Sequence, residues 1–562
     1  MPILKTKDYK KFEIDGADIP FSCLDRCLPE DQVCEGGGPE NKKIWITTTR
    51  AKYPPLVGIL DVTNKTRYGF TAKNVPIYLF HPMNKAFPPF RVGSTTEPNQ
   101  NVLAVITFES WDLNQSLPRG SCQQILGPVG DYFAESEALY WLYSPFTAYT
   151  KKQSKDIIQN EFDVEDRQDI TDWLTFNVDP AGCLDIDDVF SYRMNVDGST
   201  DCIITIADVA DLLPEGSIID QIAQKAGQSL YQEGRKPRHM LPQDLAEDYG
   251  SLSPNMVRLG LSLFFTLTTK NTIVNSYFKE TVVKNKQTYT YDSVAMTPHK
   301  FLLSNLCKLF LPKADASDPH EWIAALMIYY NKEMAQEIKG WAAGIARAHE
   351  APDQEKMNLL ESISPNLDLT FLAMKSATYI CAGSSETSHY GLDADIYCHA
   401  TSPLRRYADI QNQRVWKWVT HENHTIKAND PLLLSLNAAS KAAKKHDRDF
   451  TFLTALQNLN PNPIIEGFLL DFKLKDDKAK LEVWVPAWNQ SIKIKYGYKE
   501  EEVVEEVVEE KEKNQKRKIV IMSRDEKETI PLQIGDKVKA AISFDSSKPY
   551  WKERMIFRIL SS

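Results

Sequence analysis

The chain has 562 residues, 42% of them hydrophobic, and 76 Asp and Glu against 66 Lys and Arg give a net charge of −10. That length exceeds what one core organises, and the apolar content with scattered Gly and Pro excludes disorder and collagen-like folds. No apolar run of about 18 residues marks a membrane-spanning helix, and MPILKTKDYKKFEIDG holds no secretory h-region.

An acidic balance argues against a polyanionic partner only if the acid is spread evenly. It is not. Residues 161–188 hold ten carboxylates and one Arg, residues 500–512 hold eight Glu and one Lys, and the other 521 residues sum to +6. A nucleic acid partner stays open. Among the nine cysteines, Cys23, Cys27 and Cys34 lack a fourth ligand at a zinc spacing. Cys183, Cys202, Cys307, Cys381 and Cys398 lie in apolar contexts and read as small buried hydrophobes. A reducing, intracellular and cytoplasmic location is expected.

In chain order, residues 1–42 read as an N-terminal leader ending in the Gly36-Gly37-Gly38-Pro39 linker. Residues 43–149 carry KKIWITTT, PLVGILDV, IYLF and NVLAVITFES, spaced as in a small OB-like barrel of about five strands. Residues 150–457 mix both element types. In LTFNVD, Leu174, Phe176 and Val178 alternate with polar residues, which predicts a strand with one buried face. Asp197-Gly198 marks a hairpin between VFSYRMNV and DCIITIAD. EWIAALMIYYNKEMAQEI and 432–456 are predicted helices. Residues 458–562 return to β in EGFLLDF, AKLEVWVPA, KIVIMS, KVKAAISF and MIFRIL, as in a second OB-type barrel. The acidic insertion 499–518 interrupts it. Val503, Val504, Val507 and Val508 there predict a short acidic helix or a loop.

The densest chemistry lies in NVDPAGCLDIDDVFSYR. Asp179 ends a strand, Pro180-Ala181-Gly182 turns, and Asp185, Asp187 and Asp188 follow; an extended return points Asp185 and Asp187 to one face. Each like-charge pair at ~4 Å repels by roughly 4 kcal/mol at an effective dielectric of ~20, so convergence requires a cation, a proton or an Arg partner. Oxygen donors suit Mg²⁺, Mn²⁺ or Ca²⁺. An EF-hand fails, because Phe190 and Val196 stand where its Gly and Glu belong. An acidic surface turn is the plain alternative.

The second stretch is YCHATSPLRRYADIQNQRVWKW. Ser402-Pro403 reads as a cap and first-turn Pro, placing Arg405 and Arg406 in a helix's first turn, where the macrodipole disfavours a cation by about 0.3–1 kcal/mol. A bound anion compensates, as does a local pair with Asp409, Asp393 or Asp395. Together the two stretches imply phosphoryl chemistry: carboxylates hold one or two Mg²⁺, the metal activates water, and an Arg stabilises developing charge.

DPAGCLDIDD and HATSPLRRYAD resemble the signature motifs of the RNB family, which includes RNase II, RNase R and the exosome's catalytic subunit. The resemblance continues in IADVADLLPEGSIIDQIAQKAGQSLY, LPQDLAEDYGSLSPNMVRLGLSL, TYDSV, RAHEAP and SHYGL. PLVGIL and LPRGSCQQILGPVGD resemble the second cold-shock-like barrel of the exosome-type members. The resemblance implies an α+β chain, a mixed RNB catalytic core flanked by small OB-type β-barrels. It implies a Mg²⁺-dependent 3′→5′ exoribonuclease, with Mn²⁺ as substitute, hydrolysing single-stranded RNA to nucleoside 5′-monophosphates.

On matching positions, Asp179, Asp185, Asp187 and Asp188 would be the metal carboxylates, and Asp187 the most critical. Arg405 would support the scissile or leaving phosphate, making Asp187 and Arg405 the catalytic pair. Arg406 would hold the RNA backbone, Tyr231 would stack on the 3′-terminal base, and Tyr291 would be a nearby contact. Thr205, Gln413 and Asp447 stand where the family has His, His and Glu; the first two departures are expected to weaken substrate grip. With only a leader ahead of the barrels, docking onto an exosome core is not expected, and the chain is expected to be a monomer.

Lys441, Lys444, Lys445 and Arg448 fall on one helical face, solvated or tracking phosphates. Trp484 and Trp488 are candidates to stack on bases, and Trp416 and Trp418 are expected in the core. Two rivals remain: a catalytically inactive RNB-fold RNA-binding regulator, and an endonuclease or phosphodiesterase using the same carboxylates.

Overall fold

The alternating apolar runs fold as strands in the computed structural model. It describes every residue except 1, 37–42, 48–49, 65–67, 98, 146–148, 150–163, 364–368, 422–429, 458–462, 476–477, 497–501, 510–515, 524–528, 546–547, 549 and 561–562. Two compact units divide the chain: residues 1–147, 354–373 and 445–562 form one, and 148–353 with 374–444 the other. Among the described residues, no helix is long and apolar enough to cross a membrane.

In the first unit, the stretch expected to be a leader is folded. Lys5–Thr6, Phe12–Ile14 and Ala17–Ile19 make one three-stranded sheet, and Leu24–Asp25, Lys43–Ile46 and Val33–Gly36 another. Phe12 and Ile14, two apart, bury one face with Leu4, Val33 and Ile44, so this segment has its own small core. The rest of the glycine linker after Gly36 lies outside the described residues.

Leu56–Asp61, Ile77–Pro82, Phe90–Gly93, Val102–Ser110 and Arg119–Pro128 close into a barrel. Leu60, Phe80, Phe90, Val92 and Ile106 fill it. Near the C-terminus, Gln490–Tyr496, Lys478–Val485, Ile464–Lys475, Lys537–Phe544 and Met555–Ile559 form a five-stranded antiparallel sheet, in that order. Trp484 and Trp488 are each only 5% exposed. They pack into apolar clusters, Trp488 beside Phe452 and Trp484 beside Leu360 and Leu369, so neither offers a ring to a base. The described part of the acidic insertion is also not a helix. Glu502–Glu509 is a strand paired antiparallel with Lys516–Ser523, Glu509 opposite Lys516. Paired valines suit an extended strand as well as a helical face, and cross-strand pairing decides between them.

The second unit is built on a seven-stranded mixed sheet. Its order is Gln168–Asp169, Ile273–Lys284, Val257–Leu267, Thr200–Ala207, Asp188–Met194, Leu174–Val178 and Gln287–Tyr289. Asp197 Oδ1 accepts the Ser199 N–H at 2.9 Å and Gly198 takes φ +84°, forming the expected hairpin. Helices His299–Phe310 and Pro319–Glu337 bury Phe176, Phe190, Ile204 and Leu263 on one face. Val189, Ile203, Leu259 and Phe264 on the other face meet Val209, Ile219, Leu245 and Ile410.

Because both faces are covered, Thr175 and Asn177 are as buried as Phe176, and the exposed member of LTFNV is Leu174. The expectation of one buried face is corrected. Trp416 is core, and Trp418 packs against it. The long C-terminal helix runs Asp430–Gln457, with Lys441, Lys444, Lys445 and Arg448 exposed.

Candidate active site

The strand Leu174–Val178 ends one residue before Asp179, whose N–H donates to the Tyr289 carbonyl at 3.1 Å. The Cys183 N–H then donates to the Pro180 carbonyl at 3.1 Å, with Gly182 at φ +81°. This is a tight turn whose third residue needs a positive φ, which Gly adopts without strain. The chain from Cys183 to Asp187 is irregular, and the next strand starts at Asp188. Asp185 and Asp187 thus precede the strand and lie outside the sheet's ladder.

Asp187 is 4% exposed and fully engaged. Its Oδ1 accepts the Leu404 N–H at 2.9 Å, and its Oδ2 accepts Arg405 Nε at 3.2 Å. Burial, with the Asp185 and Asp409 charges, pushes its carboxyl up to about 7 against the pull of Arg405 and Leu404. Burial and the Asp179 and Asp187 charges also raise Asp188 well above the ordinary range. Asp179 is raised by burial as well, opposed by the Asn177 amide that donates to Oδ2 at 2.8 Å. Asp185 accepts the Tyr231 hydroxyl on Oδ2 and the Cys183 thiol on Oδ1 at 3.6 Å. Cys183 is thus a polar partner of the acidic loop, not a buried hydrophobe.

The arginine turn differs from its sequence reading. Ser402 does not cap a helix: the N–H groups of Arg405 and Arg406 bond back to its carbonyl at 3.2 and 2.9 Å, and the helix is Tyr407–Thr420. Arg406 is extended, at φ −137° and ψ 123°, because it bridges Gln228. The Ser229 N–H donates to the Arg405 carbonyl at 2.9 Å, so the segment carrying Tyr231 is tied to the arginine turn.

Arg405 keeps an exposed side chain. Arg406 instead pairs with the fully buried Asp409 at 2.8 Å, which is the local pair the sequence also allowed. Tyr291 opens the short helix Tyr291–Val294, and its ring stacks on His320 with centroids 3.8 Å apart. Burial, then the negative Asp179 and Asp188, push its hydroxyl up to about 12.

Thr205 and Gln413 lie inside the fold. Thr205 Oγ1 bonds Ser262 Oγ at 2.7 Å, and Gln413 accepts the Ala210 N–H at 3.2 Å while donating to the Ala207 carbonyl at 2.8 Å. Both are fully buried. Reading the sequence also missed a charge cluster. Asp208, Asp211 and Glu280 bring oxygens within 4.8 Å of one another, the one such carboxylate group among the described residues. Lys417 Nζ meets Asp208 at 2.7 Å and Asp211 at 2.8 Å, and also pairs with Glu280; Arg167 meets Asp208 at 2.7 Å. Lys417 and Arg167 offset two of its three carboxylate charges.

The four motif aspartates offer the oxygen donors a hard divalent cation takes, and burial raises three of them with Arg405 as the facing guanidinium, but no three of them bring oxygens within 4.8 Å of one another.

A mixed α and β core carrying an acidic loop against an arginine turn, in one chain with small OB-type barrels, defines the class. Residues 167–301 and 303–422 match the RNB domain, and residues 77–144 match the Dis3-like cold-shock domain 2. The chain thus carries an RNB domain together with a Dis3-like cold-shock domain. The exosome complex exonuclease RRP44 homolog A of Arabidopsis thaliana is 26% identical over 424 residues, 59% of this chain and 45% of that protein. The chain spans about half the length of the curated relatives it matches. The fold matches Mycoplasma genitalium RNase R in complex with ribose methylated single-stranded RNA at a TM-score of 0.70 and 18% identity, over 100% of both chains. It also matches yeast Ssd1, a pseudonuclease, at 0.61 and 16% identity, over 88% of this chain and 78% of that one.

Proposed function

We propose that the chain is a divalent-metal-dependent 3′→5′ exoribonuclease that hydrolyses single-stranded RNA to nucleoside 5′-monophosphates. The observation that carries this reading is the pairing of Arg405 with Asp187 inside a loop that retains Asp179, Asp185 and Asp188. In this reading the four aspartates hold Mg²⁺, or Mn²⁺ in its place, which when bound supplies an activated water and neutralises phosphate charge. Arg405, exposed and at the rim, stabilises charge on the scissile phosphate. Tyr231, fixed beside Asp185, positions the 3′-terminal base, and Tyr291 lines the approach. Arg406 contributes to the RNA backbone only so far as its pair with Asp409 permits. The protein acts as a monomer inside the cell.

The test uses single-stranded RNA labelled at its 5′ end. With Mg²⁺ or Mn²⁺ a descending ladder ends in a short residual oligomer, and EDTA abolishes it. Internal fragments without a ladder would instead mark an endonuclease.

A second reading, an RNA-binding regulator without catalysis, is favoured by one observation. One fold neighbour, yeast Ssd1, is a pseudonuclease. RNA that stays bound but intact in both metals would establish it.

A further inference from the structure

We infer that Asn285 and Ser251, linked through the Leu252 carbonyl, are positioning residues that hold two of the aspartates in register. The inference rests on the nuclease reading of the site. Asn285 is 1% exposed, and its amide donates to Asn177 Oδ1 at 2.9 Å and to the Leu252 carbonyl at 3.0 Å. Its own Oδ1 accepts the Gln287 N–H at 3.3 Å. Asn177, equally buried, then has one orientation available. With Oδ1 accepting from Asn285, its Nδ2 must face Asp179, to which it donates at 2.8 Å. A buried amide whose carbonyl is claimed by one neighbour presents N–H to the other.

The same segment grips the acidic loop on the far side. Ser251, fully buried, donates its hydroxyl to the Leu184 carbonyl at 2.7 Å and accepts the Ile186 N–H at 3.1 Å. These are the residues on either side of Asp185. The Leu252 N–H adds a bond to the Ile186 carbonyl at 3.0 Å. Ser251 and Leu252 therefore fix Asp185 through backbone and Asp179 through two amides. Carboxylates that repel one another drift apart unless hydrogen bonds hold them, and partners of this kind set the affinity of a metal site.

The experiment compares Asn285→Ser with Asn285→Asp in the full chain. Serine removes the relay. Aspartate keeps the shape and reverses its polarity, so that Asn177 must turn its carbonyl toward Asp179. Mn²⁺ affinity, read by calorimetric titration, falls roughly tenfold in Asn285→Ser and further in Asn285→Asp, within the usual 10–100-fold range for such partners. RNA affinity in EDTA is unchanged, and excess metal restores the Asn285→Ser rate. Ser251→Ala weakens Mn²⁺ binding, and Ser251→Thr, which keeps the hydroxyl, recovers it. Equal Mn²⁺ affinity in wild type and Asn285→Asp overturns the inference, as does a loss that tracks thermal stability alone. If the wild-type chain binds no Mn²⁺ and degrades no RNA, the nuclease reading falls. Crystal structures then decide the relay: Asp179 and Asn177 unmoved in Asn285→Asp would overturn it.

Discussion

Arg405 Nε lies 3.2 Å from Asp187 Oδ2, joining a turn that precedes one helix to a loop more than two hundred residues earlier. Leu404 seals the junction from its backbone, so the carboxylate is oriented by the turn before any ligand arrives.

Asp187→Asn separates catalysis from stability. Asn keeps an acceptor for the Leu404 N–H and removes a buried charge that its surroundings disfavour. RNA shortening falls at least about a hundredfold, as when a group that stabilises transition-state charge is lost. The melting temperature stays level or rises, measured by differential scanning calorimetry. A large fall in both would show that Asp187 is structural.

Arg405→Ala lowers turnover more than RNA affinity, because a rim guanidinium aimed at developing charge acts in the transition state. Single-turnover rates and filter binding give the two numbers. Equal losses would make Arg405 a ground-state anchor.

Tyr231→Phe removes the hydroxyl from Asp185 and keeps the ring, whereas Tyr231→Ala removes both. Stacking is worth about 1–3 kcal/mol per base, so Ala costs roughly tenfold or more in affinity for a 3′ end, and Phe little. Affinities for short oligomers in EDTA check this.

Lys417→Met tests the ion-paired cluster of Asp208, Asp211 and Glu280. Burial disfavours the Asp208 charge, yet Lys417 and Arg167 hold its pKa below the ordinary 3.8. A depressed carboxylate stabilises the fold above its unfolded pKa and loses that contribution as pH falls through the folded one. The variant is less stable by about 3 kcal/mol at neutral pH, the lower end for breaking a buried pair, since Arg167 still faces Asp208. The difference shrinks in acid below pH 3.8, as Asp208 takes up a proton. Denaturant melts across pH measure both.

What sequence made legible were features whose signal is local. The Asp197-Gly198 hairpin, the barrel strands and the helix Pro319–Glu337 carry their own turn residues and periodicity. Failures arose where a distant partner decides. Ser402-Pro403 carries a helix-start signal, but the bridge from Gln228 draws Arg406 into extended backbone and delays the helix to Tyr407. LTFNV alternates in sequence, but the sheet is covered on both sides, so Thr175 and Asn177 are buried with Phe176 while Leu174 is exposed. For the site, the four aspartates and Arg405 announce themselves by charge crowding. Asn285 does not, since nothing in its neighbourhood links it to Asn177.

That long reach governs when the site comes into being. A growing polypeptide exposes all four aspartates well before Leu404 and Arg405 are synthesised, and for that interval the loop lacks the donors that orient Asp187. Pairings so far apart in sequence close late in folding. A half-made chain beside its own messenger therefore carries the acidic loop without the turn that completes it.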